Sequence, residues 1–174
     1  MMPPIDMDMA HQVHNYIRAQ GIDLYLGQTC TAMDKDGVIL KDGRKIPADM
    51  VILSIGVRPD TGFLKDSGIE LGARGEILVN SYMETSAPDV YALGDAASVR
   101  HIVSGKQVLI PLASPANKQG RIVGDNLCGR KTAYRGSQGT SIMKFFGLTV
   151  AVTGEKEENL QTQGRAFCKG ITTS

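Results

Sequence analysis

The sequence contains no tryptophan, and aromatic residues make up only 5% of its 174 positions. Single-stranded nucleic acid is held largely by stacking bases on aromatic rings, so that mode of binding has no platform here. Charge of either sign is also not in excess: 19 lysines and arginines against 18 aspartates and glutamates leave a net +1. There is no basic field to follow a phosphate backbone, and no nucleic-acid partner is expected. Cysteine is scarce. Cys30, Cys128 and Cys168 form no CxxC or similar pair, which argues against a disulfide framework or a thiolate zinc site and fits a reducing, cytoplasmic compartment. No apolar run reaches the length of a membrane span, and Met1-Met2-Pro3-Pro4 has neither a basic nor an apolar leader region, so no membrane partner is expected.

What the sequence does have is glycine, 20 residues of it, which marks tight turns and close approaches of backbone to ligand. A hydrophobic share of 42% is enough for a real core. The first periodic segment predicts a helix over 8–20, capped by Asp6 and stopped by Gly21, with Met9, Val13, Tyr16 and Ile17 on its apolar face. His11 and His14 lie three apart on this helix, but nothing nearby completes a metal site; both are read as surface histidines and no metal is expected.

Ile22 to Leu26 reads as a short strand. Asp36-Gly37 and Asp42-Gly43 then favour tight hairpin turns and predict an antiparallel meander. The uninterrupted apolar run Met50 to Ile55 suits a central strand covered on both faces, and Gly56-Val57-Arg58-Pro59-Asp60 stops it. Ile77 to Asn80 and Val90 to Leu93 read as strands, and 101–103 with 107–110 as a hairpin about Ser104-Gly105.

Ser114-Pro115 opens the clearest helix, with serine at the cap, proline at the first position and Gly129 past its end. Ala116, Gly120 and Gly124 recur every four residues, leaving a stripe almost without side chains. Close packing against a sheet and contact with a flat ligand both account for it. Residues 140–153 read as a strand pair turning at Gly147, 155–163 as a polar helix, and 165–168 as a last strand.

Chemistry concentrates in Thr85-Ser86-Ala87-Pro88-Asp89-Val90-Tyr91-Ala92-Leu93-Gly94-Asp95-Ala96-Ala97. A carboxylate at the carboxyl end of a parallel strand faces the crevice where such sheets bind ligands, and a preceding glycine leaves room for a bulky one. Asp95 could there accept hydrogen bonds from sugar-alcohol hydroxyls.

This stretch resembles the second FAD-binding motif of the pyridine nucleotide-disulfide oxidoreductase superfamily, flavoproteins with two dinucleotide-binding domains. Two further segments match in the same order. Ile55-Gly56-Val57-Arg58-Pro59-Asp60 is similar to the end of the NAD(P)H-binding domain, and Pro111-Leu112-Ala113-Ser114-Pro115-Ala116-Asn117 to the helix start that points at the flavin pyrimidine ring. The opening Pro3-Pro4-Ile5-Asp6-Met7-Asp8-Met9-Ala10, with Leu24-Tyr25-Leu26-Gly27, is most similar to the coenzyme A-disulfide reductase and NADH oxidase branch. The resemblance implies FAD and NAD(P)H as cofactors, with Gly94, Asp95, Ala96, Leu112, Ala113 and Ala116 toward FAD, and Gly56 and Val57 toward the nicotinamide nucleotide.

No GxGxxG occurs in the sequence, although the family uses that turn for each dinucleotide. No cysteine falls in the family's redox motif, so no catalytic residue is assigned and the three thiols are expected to be buried or partly buried. The expected fold is α/β: a partial Rossmann-like flavoprotein with a β-meander and the start of an α+β dimerisation domain. Residues 1–60 would close the NAD(P)H domain, 61–135 the FAD domain, and 136–174 would begin the dimerisation domain of a homodimer. The implied function is that of an internal fragment of an oxidoreductase passing electrons from NAD(P)H through FAD to a small-molecule disulfide, oxygen or peroxide. The alternative is a non-catalytic interaction module on the same scaffold.

Overall fold

A computed structural model describes residues 5–172. The opening Met1–Pro4, including the two prolines of the branch resemblance, lies outside the described residues. The chain divides into two compact units, one running to Gly56 and including Phe145–Leu148, the other covering Val57–Lys144 and the remainder from Thr149. Among the described residues no helix is long and apolar enough to cross a membrane.

The first unit begins with α1, Met7–Ala19. Asp6 takes the cap position with an extended backbone but makes no side-chain bond to the first turn, and Gly21 N–H closes the far end on Arg18 O at 2.9 Å. The buried face is Ala10, Val13 and His14. Met9 is 51% exposed, so the apolar face is rotated from the expected one. His14 is correspondingly not a surface histidine: both ring nitrogens are buried without a hydrogen-bond partner, and burial holds its pKa below the ordinary value.

Strands β1 (Cys30–Asp34), β2 (Gly37–Leu40) and β3 (Lys45–Pro47) form the expected antiparallel meander in sequential order. Asp34 pairs with Gly37, which places the first turn at Lys35-Asp36, one residue before the dipeptide that announced it. Gly37 is required there. Its φ is +144°, and an added Cβ would collide with the backbone of Ile46 and Pro47 on β3. Lys45 Nζ sits between Asp34 at 2.8 Å and Asp36 at 3.3 Å, and the Lys45 hydrogen bond is the main reason the Asp34 pKa falls below its usual value.

In this unit two expected strands are not formed. Ile22–Leu26 is irregular, and the run from Met50 to Ile55 has no regular structure and no pairing, with Ile52 81% and Ile55 89% exposed. An apolar run becomes a central strand only when neighbours supply its ladder bonds and cover both faces. No described residue pairs with it.

The second unit is held by short pairings. Ile77 makes a parallel bridge to Ala97, donating to Ala96 O at 2.8 Å and accepting from Ser98 N–H at 2.9 Å. Glu84 bridges Tyr91 antiparallel. The expected strands at 77–80 and 90–93 are therefore reduced to isolated bridges at Ile77, which also bridges Leu71, and at Tyr91. Around them Met83, Ala97 and Val123 form a buried cluster, with Val79, Tyr91, Ala92, Ile122 and Tyr134 packed against it. The next hairpin pairs β4 (Val99–Arg100) with β5 (Gln107–Val108), two residues earlier than expected on its first strand.

Helix α2 runs Ala113–Leu127, starting one residue before the serine expected to cap it; Leu112 occupies the cap position. Strands β6 (Ser141–Phe145) and β7 (Leu148–Val152) pair about Phe146-Gly147, and their half-buried positions alternate as a period of two requires. Helix α3 is Glu157–Thr162. The strand expected at 165–168 is irregular, because nothing described lies alongside to pair with it. All three cysteines are exposed, contrary to expectation, because none falls on a core-facing position of these short elements.

Candidate functional site

The carboxyl end of the bridged segment turns sharply at Gly94–Ala96, a single 3₁₀ turn after the extended Leu93. Gly94 has φ +81° and no atom within 4 Å of where a Cβ would stand, so backbone conformation, not crowding, calls for glycine. Its carbonyl accepts from Ala97 N–H at 3.2 Å. Ala96 is fixed through its carbonyl to Ile77, so the turn leaves Asp95 at its apex with an exposed side chain.

The first turns of α2 face this apex. Asp95, Ala113, Ala116, Asn117, Gly120 and Arg121 line one open cleft of about 810 Å³. The helical members are spaced i, i+3, i+4, i+7 and i+8 from Ala113, a single stripe of an α-helix. The neighbouring stripe, Pro115, Gln119 and Val123, is buried. α2 is thus two-faced: one side closes the core and the adjacent side forms a wall of the cleft. Added Cβ atoms at Gly120 and Gly124 would meet nothing within 4 Å, so no described segment packs closely against either glycine.

The cleft carries one carboxylate, Asp95, and one cation, Arg121, with the amide of Asn117 one turn before Arg121 on the helix. Asn117 Nδ2 donates to Ala113 O at 2.9 Å, which steadies that side chain. At the helix start the amides of Ala113 and Ser114 have no preceding turn to bond, and the helix dipole makes that end favourable for negative charge. A flat molecule bearing hydroxyls and an electron-rich edge suits this donor and acceptor set.

Of the residues singled out from the sequence, Asp95, Ala113 and Ala116 line the cleft. Gly94 and Ala96 shape the turn, and Leu112 precedes the helix. Gly56 closes the first unit, and Val57, 67% exposed, opens the second. Asn117 and Gly120, which belong to the helix-start motif and the small-residue stripe, line the cleft together with Arg121, which helical spacing from Ala113 would have found. The buried Gln119 had no signal in the sequence. Among the described residues no group of three or more metal-ligating side chains comes together.

Short strands ending in a glycine-carboxylate turn, faced by a helix with a bare stripe, are the fold of part of an α/β flavoprotein with two dinucleotide-binding domains. The chain belongs to the pyridine nucleotide-disulphide oxidoreductase family, whose model matches residues 1–120. It is 41% identical over 150 residues to the NADH oxidase of Enterococcus faecalis, covering 83% of this chain and 33% of that protein. It is 31% identical over 158 residues to the coenzyme A disulfide reductase of Staphylococcus aureus, covering 90% and 36%. Among solved structures, the reduced CoADR-RHD of Bacillus anthracis superposes with a TM-score of 0.91 at 41% identity, over 95% of this chain and 30% of that one. The chain spans about a third of the length of the curated relatives it matches.

Proposed function

We propose that this chain supplies the ribitol-binding and ring-facing half of an FAD site in a cytoplasmic oxidoreductase that uses NAD(P)H. The observation that carries the reading is the shared cleft, in which the Asp95 carboxylate faces the bare stripe of α2. Asp95 accepts hydrogen bonds from the ribitol hydroxyls. Ala113, Ala116 and Gly120 let the ring system approach the helix, and the first-turn amides favour negative charge at the ring's pyrimidine edge. The chemistry supplied by bound FAD is two-electron transfer from NAD(P)H to a disulfide such as that of coenzyme A, to oxygen or to peroxide.

The chain spans about a third of the length of the relatives it matches, which supports a role within a larger protein. On this reading residues 1–60 close the NAD(P)H domain with Gly56 and Val57 beside the nucleotide, residues 61–135 close the FAD domain, and residues 136–174 begin the dimerisation domain of a homodimer. The isolated chain then has little turnover.

Fluorescence titration of the chain with FAD, riboflavin and lumiflavin tests the reading, since lumiflavin lacks the ribitol. Riboflavin should bind more tightly than lumiflavin, and Asp95→Ala should abolish that preference. An equal preference in Asp95→Ala would refute the assignment.

One observation favours a second reading, a non-catalytic interaction module: the unpaired, exposed run from Met50 to Ile55 offers a strand edge to a partner. That reading requires association independent of flavin, measured by sedimentation, together with no discrimination between riboflavin and lumiflavin.

A further inference from the structure

We propose that Gln119 is a positioning residue of the flavin site: its side-chain carbonyl holds the Gly94 amide and so sets where Asp95 stands in the cleft. The inference rests on the flavin reading and assigns a part of it to a residue that does not line the cleft.

Gln119 is 1% exposed, one of the largest fully buried side chains among the described residues. Pro115 and Val123, one turn to either side on the same stripe, are apolar. Burying an amide there is costly unless its polar atoms are satisfied, whereas a methionine or leucine of similar volume would pack without that cost. The hydrogen bond accounts for the carbonyl of that amide: Gly94 N–H donates to Gln119 Oε1 at 2.7 Å, across 25 residues of sequence.

That bond completes the fixing of the turn. The Gly94 carbonyl is held by Ala97 and the Ala96 carbonyl by Ile77, and the nearest upstream anchor is Ala92 N–H on Met83 O at 3.1 Å, so Gln119 supplies the bond that holds the Gly94 amide itself. Asp95 lies between these anchors. Because α2 also contributes Ala116, Asn117, Gly120 and Arg121 to the cleft, the single bond from Gln119 ties the helix wall to the carboxylate wall and fixes their spacing. Ligand-contacting groups lose effectiveness when displaced by about an ångström, so the spacing is a property the site depends on.

The test uses Gln119→Met, which keeps length and removes the acceptor; Gln119→Glu, which keeps the acceptor; and Val123→Ala, which loosens the same helix face without touching the bond. Hydrogen exchange at the Gly94 amide reads the bond, and the ratio of lumiflavin to riboflavin dissociation constants reads the placement of Asp95. Gln119→Met should speed Gly94 exchange at least tenfold and reduce the ratio to that of Asp95→Ala. Gln119→Glu should restore both, and Val123→Ala should lower the thermal midpoint while changing neither.

Unchanged Gly94 exchange in Gln119→Met overturns the proposal, as does faster exchange with an intact ratio, or a Val123→Ala variant that reproduces both effects. A wild-type chain without any riboflavin preference, or a preference that survives Asp95→Ala, sinks the flavin reading and the proposal with it. That case is distinguishable, because Gly94 exchange still responds to Gln119→Met.

Discussion

His101 Nδ1 lies 3.4 Å from Glu155 Oε1, and the same nitrogen accepts from Ser104 N–H at 3.2 Å. One ring nitrogen cannot accept from an amide and donate to a carboxylate at once, so only one of the two contacts is a hydrogen bond at a time. Glu155 is anchored independently, accepting from Asn159 Nδ2 at 2.8 Å, and that bond is the main reason its pKa lies below the ordinary value, with Ser104, His101 and Lys106 adding to it.

A carboxylate whose folded pKa is depressed adds stability above its unfolded value and loses it as pH falls through the folded one. Urea unfolding of the wild-type chain should therefore weaken as pH drops below about 4.5, the value in the absence of the fold. Glu155→Gln should be less stable than wild type at pH 7 and should lose part of this acid dependence. Parallel pH profiles would count against the pair.

His14 predicts a separate window. Its pKa is lowered by burial, so the unfolded chain takes up a proton first and stability declines as pH falls below 6.5 toward the folded value. His14→Leu should flatten the profile between pH 7 and 5 without altering the Glu155 step. The check is the unfolding midpoint at half-unit pH intervals.

At Gly120 and Gly124 stability and binding should part company. Neither Cβ would clash, so alanine at either position should raise helix stability by about 1 kcal/mol. Only Gly120 lines the cleft, so only Gly120→Ala should weaken riboflavin, by an expected five- to tenfold. Equal effects of the two variants on binding would contradict the placement of the stripe.

Gly37→Ala should be costly in the opposite sense. The substitution meets both an unfavourable φ and the backbone of β3, and strain of this kind costs roughly 1–3 kcal/mol. Loss of amide protection at Val38 and Ile46, which pair across β2 and β3, would locate the damage in the meander.

The residues explain which features were legible beforehand. The meander, α1, α2 and the 141–152 hairpin carry their signals locally, in Asp-Gly turns, helical spacing and β-rich runs about Gly147, and all four formed. The runs 50–55, 77–80 and 165–168 carry only an apolar or β-rich composition, and whether such a run becomes a strand depends on a neighbour it does not encode. His14 was misjudged because one residue of helical rotation exchanges a surface position for a buried one. Asp95 stood out because the Gly-Asp turn, common by itself, ends the stretch 85–97 that resembles the family's second FAD motif. Gln119 did not, since its meaning lies in an amide 25 residues away.

The bare stripe of α2 has a consequence for folding equilibrium. A ligand seated on Gly120 covers a helix face that the chain's own side chains leave open, and binding of that kind adds RT ln(1 + [L]/Kd) to stability, about 2.7 kcal/mol at a hundredfold excess over Kd. Flavin would then act as a folding ligand, and the thermal midpoint of the chain would serve as a gauge of flavin supply.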